Sequence, residues 1–130
     1  MSAFVNDGWR MFNSHCYKFI QTKKTWSGAK TYCVGQGGYL VTVYSQAEND
    51  FVDNFVNSNV WMGGSDIASE GTWIWEDGKP WASYQNFASG EPNNGAAGGE
   101  DCLEMLKGND NNGRWNDISC GYAKSSVCKK

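Results

Sequence analysis

The chain has 130 residues, enough for one domain spanning 1–130 and too few for a second. Eleven Lys and Arg against fourteen Asp and Glu leave a formal charge of −3, so no basic stripe exists for neutralising nucleic-acid phosphates. The 40% hydrophobic and 15% aromatic content, with sixteen Gly, excludes a solvated disordered tail and favours short elements joined by glycine turns.

Residues Trp9 to Phe19 read as aromatic-rich strands broken at Asn13-Ser14. Thr25 caps a helix whose apolar positions Trp26, Ala29 and Cys33 recur at three and four residues, and the cluster from Gly35 to Gly38 ends it. Tyr39 to Val43 is β-branched and aromatic, hence a strand. Ser45 to Glu48 forms a capping box opening a second helix that runs to about Asn57, with Ala47, Phe51 and Phe55 on one face beside Val52 and Val56. Beyond it the style changes to short strands. Trp61 to Gly64, Trp73 to Trp75, Cys102 to Leu106, Arg114 to Asn116 and Ser125 to Cys128 are the candidates. No run of eighteen apolar residues exists to span a membrane, and no signal peptide is visible after Met1.

Two further features need chemistry. Five cysteines stand beside a single His with no C-x-x-C pair, which favours disulfides in an oxidising, extracellular setting over a zinc site. Five is odd, so at least one thiol is left over, and spacing alone does not choose the pairs. The second feature is the stretch from Ser83 to Glu100, which has no hydrophobic period yet lies between strands. Glu91, Asn93, Asn94, Glu100, Asp101, Asn116 and Asp117 crowd this part of the chain, with Asp66 and Glu70 in an earlier glycine-flanked loop. Lys107 and Arg114 are the nearby basic residues. Crowded carboxylates call for a counter-charge, and Ca²⁺ takes six to eight oxygens, Asn amides included. The competing reading is that Asn, Asp and Gly fill exposed turns.

Glu91-Pro92-Asn93, Trp115-Asn116-Asp117, the strand Trp61-Met62-Gly63-Gly64 and four of the cysteines stand in an order that resembles a C-type lectin carbohydrate-recognition domain. The resemblance covers Trp9 to Cys128. It implies an α+β fold of two helices with small antiparallel sheets and a long calcium-binding loop region. It also implies disulfides Cys33–Cys128 and Cys102–Cys120. The principal Ca²⁺ site, which is also the sugar site, would use Glu91, Asn93, Glu100, Asn116 and Asp117. An auxiliary Ca²⁺ would use Asp66, Glu70, Asn94, Glu100 and Asp101. The order Glu-then-Asn in E-P-N is associated in that family with vicinal hydroxyls of mannose, glucose, N-acetylglucosamine or fucose, where galactose binders usually carry Q-P-D. Only small residues fill Gly95 to Gly99, which suggests a shallow monosaccharide site.

The sequence departs from longer relatives at Val5 to Trp9, where Cys16 finds no partner. Cys16 is then either a buried thiol or the bridge of a homodimer, whose linked sites would gain avidity. The partners implied are mannose-type glycans on cell surfaces or glycoproteins, with no nucleic acid and no membrane insertion, for a secreted protein. Catalysis is not expected: carboxylates held on calcium stay ionised and supply no general acid, and His15 has no nucleophile motif nearby. The rival is a lectin-like module that binds protein or ice and has no sugar site.

Overall fold

Asn13 and Ser14 both take left-handed backbone, with φ of 47° and 71°. Two successive positive values are what a two-residue type I′ hairpin requires. In the computed structural model, which describes residues 8–68, 72–79, 84–88, 101–108 and 112–130, they join β1 (Arg10–Phe12) to β2 (His15–Lys24), with Phe12 opposite His15. The strand after the turn runs five residues past Phe19.

The first helix, α1 (Trp26–Gly35), starts where the Thr25 hydroxyl accepts from the Gly28 N–H at 3.2 Å. Trp26, Ala29 and Cys33 are its buried stripe. It ends in a Schellman turn: Gly37 has φ of 88°, its N–H donates to Val34 C=O at 3.0 Å, and Gly38 N–H donates to Cys33 C=O at 3.0 Å. The second helix, α2 (Gln46–Phe55), is capped by Ser45, whose hydroxyl accepts from Glu48 N–H at 3.1 Å. Only half of the expected capping box forms. Glu48 reaches past the Ser45 amide to accept from Tyr44 N–H at 2.8 Å, because its other oxygen is drawn to Tyr17 and Lys129. Ser45→Ala removes the remaining cap and is expected to cost about 1 kcal/mol, read as a lower urea midpoint at constant m-value. An unchanged midpoint would show that Glu48 alone fixes the helix start.

The later strands differ from their expected limits by one or two residues, and two earlier boundaries differ for a visible reason. The helix stops at Phe55, since Val56 turns extended to enter the core at 5% exposure. The strand expected over Tyr39 to Val43 shrinks to β3 (Tyr39–Leu40). Val41 still bonds Val127 and Gly63, but the Thr42 carbonyl accepts from the Lys129 ammonium at 3.1 Å instead of a neighbouring strand.

The remaining strands are β4 (Val60–Ser65), β5 (Ile74–Trp75), β6 (Cys102–Met105), β7 (Trp115–Ile118) and β8 (Lys124–Lys129). As the resemblance implies, two helices accompany a largely antiparallel set of strands, whose pairings join into one network in the order β1-β2-β8-β4-β6-β7, with β3 added to β8 and β5 to β4. The β4–β8 pair is parallel and the others are antiparallel. Gly63 in β4 lies so close to the Leu40 carbonyl that a Cβ would collide with it, which is why glycine stands within an otherwise apolar strand.

Two apolar clusters flank the network. One holds Tyr17, Val52, Met62, Trp75, Leu103 and Trp115, with Phe51 and Phe55 from α2 packed against it. The other holds Trp9, Trp26, Cys33, Leu40, Trp61 and Cys128. Disulfides join Cys33 to Cys128 and Cys102 to Cys120, the pairs implied by the family resemblance. Cys16 is the free cysteine among the described residues, half-buried against the second cluster. Burial, followed by its hydrogen bond to Glu48, pushes the Tyr17 phenol well above its ordinary pKa, so it stays protonated and donates.

Candidate functional site

The apolar residues of β6 and β7 place the polar residues between them. Leu103, Met105 and Trp115 are fully buried, and period-two alternation turns Glu104 and Asn116 to the other face. The register confirms the row: Trp61 lies opposite Glu104, and Glu104 opposite Asn116. There the Asn116 Nδ2 donates to Glu104 Oε2 at 2.7 Å, while Lys124 Nζ stands 3.0 Å from Glu104 Oε1. Asp117 lies opposite Leu103 and is 1% exposed. Consecutive residues therefore leave β7 on opposite faces. Both residues thus stand on β7, the last strand of the network.

The outer edge of that strand is partly covered. Asn86 to Ala88 runs alongside β7, with Trp115 N–H donating to Asn86 C=O at 2.9 Å and Ala88 N–H donating to Trp115 C=O at 2.8 Å. Below it the Trp115 ring is the hub of an aromatic group. It meets Trp75, Tyr84 and Phe87 edge to face at 5.6, 5.6 and 5.8 Å, and its Nε1 donates to Asn49 Oδ1 at 2.8 Å. Asn49 and Asn86 both donate to the Gly113 carbonyl, at 2.9 and 2.7 Å, fixing the turn before β7. Where β4 ends and β6 begins, the Asp66 N–H donates to Asp101 C=O at 3.1 Å, and Asp66 is 2% exposed.

Of the residues expected in the principal site, Asn116 and Asp117 are thus adjacent on β7. Asp66 and Asp101 of the auxiliary set are brought together by a backbone bond. Glu91, Asn93, Asn94, Glu100 and Glu70 lie outside the described residues. Among the described residues, no three His, Cys, Asp or Glu side chains gather into a metal cage. The donors present are amide and carboxylate oxygens. His15 sits in the β1–β2 hairpin and four cysteines are in disulfides, so the set suits a hard cation such as Ca²⁺ and not zinc. Glu104 and Lys124 are polar members of this region to which the sequence reading gave no role. The available signal was a lone acid between Leu103 and Met105 in a strand that is otherwise apolar.

Residues 22–130 match the Lectin C-type domain family model, and the chain belongs to that family. It is 39% identical over 130 residues to ladderlectin of Oncorhynchus mykiss, a match covering 95% of this chain and 66% of that protein. It spans 36% and 4% of the next two curated relatives. Among solved structures, the cow C-type carbohydrate-recognition domain of CD23, crystallised in the presence of a GlcNAc2Man3 oligosaccharide, is 35% identical with a TM-score of 0.88. That match covers 99% of this chain and 97% of the other. A calcium-independent type II antifreeze protein is 28% identical with a TM-score of 0.89, covering 100% and 96% of the two chains. The family's members are lectins, receptors and antifreeze proteins, not enzymes. Among the described residues, no helix is long and apolar enough to cross a membrane.

Proposed function

We propose that the domain binds mannose-type sugars through Ca²⁺ held by Glu91, Asn93, Glu100, Asn116 and Asp117, with an auxiliary ion on Asp66, Glu70, Asn94, Glu100 and Asp101. One observation supports this reading above the others. The segment 89–100, which carries Glu-Pro-Asn, is entered from Ala88 and left at Asp101. Ala88 is bonded to Trp115 and Asp101 to Asp66, so the two residues that flank the segment are held beside other expected ligands.

A bound calcium ion supplies a positive centre that accepts lone pairs from two vicinal hydroxyls. The Asn93 amide, and the Asn116 N–H that is not bonded to Glu104, would donate to those hydroxyl oxygens, and the Glu91 and Glu100 carboxylates would accept the hydroxyl protons. In this arrangement the residues select a hydroxyl pair, and the small side chains of Gly95 to Gly99 leave the rest of the glycan unread. Two disulfides suit an extracellular setting.

Its similarity to a calcium-independent antifreeze protein indicates that the scaffold can exist without the ion, so the ligand residues carry the proposal. The test is retention on immobilised mannose in millimolar calcium. Retention should be lost completely on adding EDTA and restored by calcium. Retention that survives EDTA, or none in calcium, would overturn the sugar-binding reading.

A further inference from the structure

Glu104 is a carboxylate in the middle of β6, 2% exposed, between the fully buried Leu103 and Met105. A buried carboxylate is costly unless paired, and this one has an ammonium beside one oxygen and a hydrogen bond on the other. Lys124 Nζ stands 3.0 Å from Oε1, and Asn116 Nδ2 donates to Oε2 at 2.7 Å. The ammonium is itself located, since it lies 5.7 Å above the ring centroids of both Trp61 and Tyr122.

The pairing decides which way Asn116 faces. A primary amide has a donor edge and an acceptor edge of nearly the same shape, and without a constraint either can face a neighbour. An ionised carboxylate only accepts. Against Glu104, Asn116 must therefore turn its NH2 inward and its Oδ1 away. A hard cation binds the oxygen edge and is repelled by the other. We propose that Glu104, anchored by Lys124, is a positioning residue that locks the Asn116 amide with its oxygen presented to the ion. This rests on the reading of Asn116 as a calcium ligand. It also accounts for Asn rather than Asp at position 116, where a second carboxylate would face Glu104.

The test is isothermal titration of the full chain with calcium alone, with no sugar present, for the wild type and for E104Q, N116D and the double variant. A Gln at position 104 can offer either edge, so E104Q is expected to bind calcium about tenfold more weakly, as for other residues that orient a metal ligand. In N116D two carboxylates face one another. The double variant gives that aspartate a donor again, and is expected to bind calcium more tightly than N116D. A merely structural Glu104 would make the two losses add. Equal calcium affinity in wild type and E104Q, or additive losses in the double variant, would overturn the positioning role and leave the calcium site standing. A wild type that binds no calcium would overturn the ligand reading and this role together. Should E104Q fail to fold, E104D carries the test. It keeps the charge opposite Lys124 but withdraws the acceptor by one methylene, and unchanged affinity there would equally overturn the role.

Discussion

Glu48→Ala should destabilise the domain by about 3–5 kcal/mol, the range for removing one partner of a buried ion pair. Lys129 is 2% exposed and Glu48 7%, and their Nζ and Oε2 lie 2.5 Å apart. Without Glu48 the ammonium would keep the Thr42 carbonyl and hydroxyl at 3.1 and 3.0 Å and the faces of Tyr17 and Tyr44, but no negative charge. The Tyr17 phenol would also lose its acceptor in a site that already holds it protonated. Because most of the loss is the stranded charge, a second substitution should recover it. Lys129→Met on top of Glu48→Ala is expected to return a large part of the stability, as apolar replacements of buried ion pairs commonly do. Urea unfolding of the two variants makes the comparison. A single-variant loss below about 1 kcal/mol, the range of an exposed pair, would contradict the buried-pair account.

Trp115→Ala is expected to cost a similar amount, about 3–5 kcal/mol, as a large-to-small change in a packed core. The ring is fully buried and touches three other aromatics, so the cavity has no single neighbour able to fill it. The milder Trp115→Phe keeps an aromatic ring but strips the N–H from Asn49 Oδ1, whose residue is 1% exposed, and should cost about 1–3 kcal/mol. Both changes should also weaken calcium binding more than an equally destabilising change at Val52. The reason is position: Asn86 to Ala88 is held on the Trp115 backbone, directly before the segment that carries Glu91 and Asn93. Calcium titration of Trp115→Phe and Val52→Ala side by side makes the comparison. Equal affinities would separate the aromatic hub from the site.

Local chemistry was readable along the chain. The Asn13-Ser14 break, the Thr25 and Ser45 caps and the glycine stop after α1 all fell where short-range rules put them. Two of the misreadings, the half-formed capping box and the short β3, share a cause. Lys129 lies 81 residues from Glu48 and 87 from Thr42, yet it redirects the capping carboxylate and ends β3 early. A periodicity reading has no access to such a partner. The site divided in the same way. Asn116 and Asp117 stood out as oxygen donors beside a Trp, whereas the role of Glu104 depends on the β6–β7 register, which brings it opposite Asn116. The disulfide partners came from family resemblance, and the structure joins the same four cysteines.

The strand β8 has a consequence for the order of events during synthesis. It lies between β2 and β4 in the network, also receives β3, and carries both Cys128 and Lys129. A ribosome releases this strand after every other element of the domain. Until it emerges, β2 and β4 have no strand between them, Cys33 has no native partner and Glu48 has no cation. The nascent chain can therefore form its hairpin and helices early but must wait for its last strand to close the sheet. Such dependence on distant contacts slows folding. It also leaves unpaired strands exposed while synthesis continues, which makes the interval before β8 appears the one most open to misassembly.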